Sequence, residues 1–151
     1  MRQFTILVLA LTLAAFPAAA VDYVRLSPSE FAEDLARAST LASEANYDEA
    51  IVILGTLIED EPLDADALSL MGYCLRKSGR ASPAEAFYLR ALEVEPEHLG
   101  ANQYLGEFYL ERGDLELARE RLAVLDATCG DRCEGRDALA AAIAAIGTAR
   151  N

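Results

Sequence analysis

The chain repeats itself every 34 residues, and this period limits its fold more than any other property of the sequence. Leu68, Met71, Gly72, Leu75, Gly79, Ala84, Tyr88, Ala91 and Pro96 map 34 positions on to Asn102, Leu105, Gly106, Tyr109, Gly113, Ala118, Leu122, Leu125 and Gly130, mostly alike in size and character. Stepping back by the same interval from the second half of the series gives Ala45, Ala50, Leu54, Leu57 and Pro62. A period in this range belongs to stacked supersecondary units. An early Gly, a small Ala in the middle and a Pro at the end point to helical hairpins.

This set resembles the tetratricopeptide repeat, whose unit has a helix A opening on large-x-x-large-Gly, a turn near Gly, and a helix B carrying Ala, an aromatic or Leu, Ala and a terminal Pro. The middle unit fits at every position. The last keeps Leu105, Gly106, Tyr109, Gly113, Ala118, Leu122 and Leu125 but has Asn102 at the first large position and Gly130 in place of Pro. The first has Leu41, Tyr47, Ala50, Leu54, Leu57 and Pro62, with Asp34 where a large residue is usual. The resemblance covers roughly residues 31–132 and implies an all-α, right-handed α-solenoid of about three helix-turn-helix units. Their boundaries are expected at 31–64, 65–98 and 99–132, after a lead-in over 21–30 and before a capping helix over 134–151.

Residues 1–20 read as a cleavable signal peptide: Met1, Arg2, Gln3, an uncharged run from Phe4 to Phe16, then Pro17 and Ala18, Ala19, Ala20. The apolar run is too short to span a membrane, and the small residues suit cleavage after Ala20. The expected mature protein starts at Val21 in the periplasm, with no stable membrane insertion. Arg2 leaves with the leader and no acid does, so the formal charge of −12 becomes −13. That charge disfavours nucleic acid and anionic lipid as partners. The acids crowd the expected inter-repeat turns (Glu59, Asp60, Glu61, Asp64; Glu93, Glu95, Glu97), as in a soluble monomer.

Ser27, Pro28, Ser29, Glu30 combines a capping serine, a Pro at the first helical position and a Glu at the third, so a helix is expected from there to about Glu44. Ala45 and Asn46 form the turn before a helix from Tyr47 to about Glu59. The same device is read at Ser82, Pro83, Ala84, Glu85, with Gly79 taking a left-handed cap before it and Asp114 capping the last helix B. Gly72 and Gly106 lack side chains where helix A must approach helix B. Leu139, Ala142, Ile143 and Ile146 share one face of a final helix laid against helix B of the third unit.

Cys129 and Cys133 flank Gly130, Asp131 and Arg132. In an oxidising compartment a structural disulfide pinning the cap is the first reading. Two others compete with it: thiol exchange helped by Arg132, and a copper-type soft-metal site on the two thiolates. Cys74 is expected to be a buried free thiol.

The family resemblance places binding residues on helix A: Asp66, Ser69, Tyr73, Arg76 and Lys77 in the middle unit, and Gln103, Glu107, Leu110 and Glu111 in the last. The first unit offers Leu35, Ser39 and Ala42. Tyr73 and Arg76 are the expected hot spots for an extended peptide or partner helix, neutral to basic in charge. The basic and Asn clamp of chaperone-binding relatives is missing, since Ser69, Tyr73, Gln103 and Glu107 occupy those positions. No Ser/His/Asp set, phosphate loop or His-rich spacing stands out, so the expectation is a non-catalytic interaction module without cofactor or metal. The alternative is a thiol-redox or copper-handling protein using Cys129 and Cys133.

Overall fold

A computed structural model describes residues 25–130 and 133–149. The expected signal peptide and its cleavage site lie outside the described residues. Among the described residues seven helices follow one another: α1 (Pro28–Ser43), α2 (Tyr47–Asp60), α3 (Ala65–Lys77), α4 (Ala81–Val94), α5 (Leu99–Arg112), α6 (Leu115–Thr128) and α7 (Glu134–Ala149). Among the described residues there is no strand, and no helix is long and apolar enough to cross a membrane. The first six helices pair as three hairpins, and each helix A also packs on both helices of the hairpin before it, giving an α-solenoid.

Local chemistry sets the helix ends. Ser27 and Glu30 close a capping box: the Glu30 amide donates to Ser27 Oγ at 3.3 Å and the Ser27 amide to Glu30 Oε2 at 2.8 Å. These bonds from Ser27 hold the Glu30 carboxyl below its ordinary range. Each helix A ends in the same left-handed turn. The Gly79 amide donates to Arg76 O at 3.0 Å and the Arg80 amide to Leu75 O at 2.8 Å, with Gly79 at φ +83°. Gly113 repeats the arrangement at φ +84°, and Ala45 adopts it at φ 63° with no glycine to ease it.

Two expected caps are corrected. Helix α4 starts at Ala81, two residues early, so Arg80 occupies the cap position and Ser82 lies inside the first turn. Pro83 fits there because the amides of the first turn have no intrahelical acceptor. Asp114 does stand at the cap of α6, but its side chain accepts no capping bond and pairs with Arg112 at 3.4 Å. Asp64, read only as a turn acid, is the working cap of α3, accepting from the Ala67 amide at 2.7 Å.

The core runs along the hairpins through Ala38, Leu54, Leu57, Met71, Leu75, Ala84, Tyr88, Leu105, Phe108 and Ala118. A Cβ on Gly72 would lie 2.6 Å from Tyr88 Cε1 and 3.1 Å from Ala84 O, so Gly72 is the contact between helix A and helix B that was expected. Gly106 differs: its nearest neighbour is Leu139 of α7, with Arg121 Cβ of α6 next. Leu139, Ala140 and Ile143 stand 34 residues after Leu105, Gly106 and Tyr109. Helix α7 packs on α5 as well as on α6, in the place a fourth helix A would take. The departure at Asn102 has a local reason. Its side chain is fully buried, with Nδ2 donating to Pro96 O and His98 O, both at 3.0 Å, which ties down the turn before α5.

Candidate functional site

Helices α1, α3 and α5 lie side by side, so their outward residues form one face. One end of it holds a cavity of about 450 Å³. Ala32, Leu35, Ala36 and Ser39 of α1, Asp66, Ser69 and Leu70 of α3, and His98, Gly100 and Tyr104 at the start of α5 line it. Four residues expected from sequence thus meet there: Leu35, Ser39, Asp66 and Ser69. Ala42 does not, because at 3 % exposure it belongs to the core.

The polar groups of this cavity are unevenly served. His98 caps α5 by accepting the Ala101 amide on Nδ1 at 3.0 Å, and its Nε2 stands 2.9 Å from Asp66 Oδ1. With Nδ1 accepting, the neutral ring carries its proton on Nε2 and donates it to Asp66. Ser69 is 2 % exposed, and its hydroxyl has no hydrogen-bond partner among the described residues.

The other end of the face is aromatic and ionic. Tyr73 sits between Tyr47 and Tyr104, with ring centroids 6.2 Å and 4.9 Å away, and Lys77 Nζ lies 5.7 Å from its centroid. Burial, then the neighbouring Tyr47 and Tyr104, pushes the Tyr73 hydroxyl above its ordinary pKa; burial and Glu107 do the same for Tyr104. Arg76 is not the open hot spot expected from sequence. Its side chain is 3 % exposed, and its guanidinium donates to Glu107 Oε2 and Glu111 Oε1, both at 2.6 Å. Burial lowers the Arg76 pKa, but Tyr88, Glu107 and Glu111 outweigh it and the net shift is upward. Three of the expected binding residues are therefore spent on each other, joining α3 to α5.

Gln103 and Leu110 are placed differently again. Gln103 donates to Glu107 Oε1 at 3.0 Å and packs so closely on Gly135 of α7 that a side chain at 135 would collide with it. Leu110 is half-buried against the core. Tyr104 and His98 were missed. The signal for Tyr104 was available, since it lies 34 residues after Leu70 and 68 after Ala36, both in the same cavity wall. His98 sits in a turn, where helical periodicity gives no address.

Cys129 and Cys133 adjoin at the α6–α7 junction with Cα atoms 5.6 Å apart, beside a cleft of about 270 Å³ that Gln103 and Thr128 also line. Cys74 is fully buried, and burial raises its thiol pKa from 9.0 to about 11. Among the described residues no three His, Cys, Asp or Glu side chains come together as a metal site.

Comparison with known proteins agrees with this architecture. Two family models, both described as tetratricopeptide repeat, match residues 41–93 and 87–120, which together span more than half of the chain. No curated protein sequence is significantly similar. Among solved structures, the fold is similar to the Yersinia enterocolitica type III secretion translocator chaperone SycD, in its alternative dimer, at TM-score 0.72 and 17 % identity, covering 83 % of this chain and 97 % of that one. PcrH in complex with the chaperone binding region of PopD gives 0.67 and 22 %, covering 83 % and 95 %. The Sgt2 TPR domain from Aspergillus fumigatus gives 0.70 and 18 %, covering 83 % and 84 %. The 34-residue register, the three stacked hairpins and the two matching family models together establish that this chain belongs to the tetratricopeptide repeat family.

Proposed function

We propose that the protein is a non-catalytic adaptor or chaperone-like scaffold that holds a segment of another protein on the face of α1, α3 and α5. The observation that carries this reading is the cavity there, with three successive A helices supplying its walls and an exposed carboxylate at Asp66. Structures of similar fold were solved with such occupants: SycD with a peptide of the translocator YopD, and PcrH with the chaperone binding regions of PopD and PopB. Leu35, Ser39, Asp66, Ser69 and Tyr104 would contact the segment, with Tyr73 and Lys77 at the margin. Arg76, Glu107, Glu111, Gln103 and Leu110 would act through structure. The partner would be neutral to basic, and the protein a monomer.

The same reading places the protein in the periplasm, on the strength of its N-terminal sequence and of a Cys pair whose Cα separation suits a disulfide. The test is a photo-crosslinking amino acid placed at Tyr104 in the exporting cell, with Leu89 of α4 as control. A discrete protein adduct from position 104 alone is expected; equal adducts from both positions, or from 89 alone, would overturn the assigned face. N-terminal sequencing of the exported protein should begin at Val21, and an intact Met1 in the cytoplasmic fraction would refute export.

A second reading, thiol exchange or copper handling, rests on the cleft of about 270 Å³ that Cys129 and Cys133 line, a size that suits a small thiol or ion. Resistance of the native pair to a mild reductant favours the scaffold; ready reduction favours the rival.

A further inference from the structure

Given that the face of α1, α3 and α5 binds a partner segment, we infer that the cavity at its end takes one basic side chain of that segment, a Lys or an Arg. Charge is the first argument. At the far end of the face Glu107 and Glu111 both pair with Arg76, and Lys77 over the Tyr73 ring adds a second positive charge there. The cavity lining carries a single formal charge, that of Asp66, on a protein of net charge −12.

That carboxylate is held ready. His98 fixes its Oδ1, and the His98 ring is itself fixed by the Ala101 amide. Oδ2 has no partner among the described residues, and the Asp66 side chain is 74 % exposed. A cation would complete its coordination without displacing His98. Ser69 of the cavity wall adds a second acceptor, since its buried hydroxyl is unpartnered among the described residues. Gly100 leaves room beside it, since a Cβ there would lie 3.5 Å from Ser69 Oγ.

The remaining walls suit a methylene stem. Leu35, Ala36, Leu70 and Tyr104 present apolar surface around the approach to Asp66, which is the division of labour a Lys or Arg side chain needs. An acidic side chain would be repelled by Asp66, and a purely apolar one would cover Asp66 and leave the buried Ser69 hydroxyl unpaired.

The test is a selection of random dodecapeptides displayed on phage against the purified protein, followed by fluorescence-anisotropy titration of the best peptide. Four variants are titrated alongside wild type: Asp66→Asn, Ser69→Ala, Gly100→Ala and the cavity-filling Ala36→Phe. Recovered peptides should share a Lys or Arg at one position. Replacing it with norleucine, or Asp66 with Asn, should each weaken binding about fivefold, with no further loss when both are changed. Ser69→Ala and Gly100→Ala should melt no lower than wild type and still bind more weakly, because one removes an unpaired hydroxyl and the other covers it. Peptides that are lost on Ala36→Phe but lack a basic position and ignore Asp66→Asn would overturn this inference and leave the face as a binding surface. Peptides indifferent to Ala36→Phe, or no enriched peptide at all, would overturn both readings.

Discussion

Gly106 of α5 and Leu139 of α7 fill one another's space: a Cβ on Gly106 would stand 2.5 Å from Leu139 Cδ2 and 3.1 Å from Cδ1. The glycine of the last repeat therefore serves the seventh helix more than its own hairpin partner. In the middle repeat, Gly72 meets the Tyr88 ring and the Ala84 carbonyl instead.

These two neighbourhoods predict different costs for the same change. Leu139 can swing its methyl groups aside, whereas the Tyr88 ring and a backbone carbonyl cannot move far. Gly106→Ala should cost about 1 kcal/mol and Gly72→Ala about 2 to 3 kcal/mol, from overpacking partly offset by better helix propensity. Urea denaturation would check this, and equal losses at the two sites would refute the argument.

Ala45 holds a left-handed conformation, φ 63°, that Gly79 and Gly113 hold in the other two hairpins. A Cβ in that region is strained by roughly 1 kcal/mol. Ala45→Gly should raise stability by about 0.5 to 1 kcal/mol, and Gly79→Ala should lower it by about 1 kcal/mol. The pair of melting curves gives the sign directly.

Arg76 joins α3 to α5 through two carboxylates of unequal exposure, Glu107 at 28 % and Glu111 at 57 %. Glu107→Ala takes a partner from a buried guanidinium and should cost about 2 kcal/mol. Glu111→Ala removes a solvent-screened partner and should cost about 0.5 kcal/mol. Chemical denaturation of both variants tests the ranking.

Burial raises the Cys74 thiol to about 11, while the unfolded chain titrates it near the ordinary 9.0. Stability from this residue is whole below pH 9 and is lost as pH rises from about 9 towards 11, because only the unfolded state ionises in that window. Between pH 8 and pH 10 the wild type should lose about 1 kcal/mol more than Cys74→Ala. Denaturant midpoints at the two pH values measure it.

Thiol counting addresses the α6–α7 junction. Unreduced protein unfolded in guanidinium should expose one thiol, Cys74, when Cys129 and Cys133 are bridged, and three when they are not. Cys133→Ser should then cost about 2 kcal/mol and speed cleavage near Arg136 while the first two hairpins stay folded.

The helices were legible because they are written locally. Ser27 and Glu30 spell a capping box within four residues, Gly79 marks its turn, and the period of Leu68, Met71, Leu75 assigns a buried face without reference to any other helix. Where local signals misled, a neighbour had intervened. Ser82-Pro83 has the form of a cap, yet α4 begins two residues sooner. Asp114 has the right side chain in the right place, but Arg112 holds it.

The binding face divides along the same line. The family resemblance picked out Asp66, Ser69, Tyr73, Arg76, Gln103 and Glu107, and 3.6 residues per turn puts those of each helix on one stripe. Whether an outward residue is free depends on what the next helix brings, which no single-helix pattern contains. The sequence alone determined the repeat, the hairpins and which residues look away from each hairpin. Tertiary stacking decided that Arg76 is consumed by Glu107 and Glu111, that Gln103 lies under α7, and that Asp66, held by His98 from the next turn, keeps an open oxygen. Those outcomes depend on distances between helices a full repeat apart, and such distances exist only once the solenoid has closed.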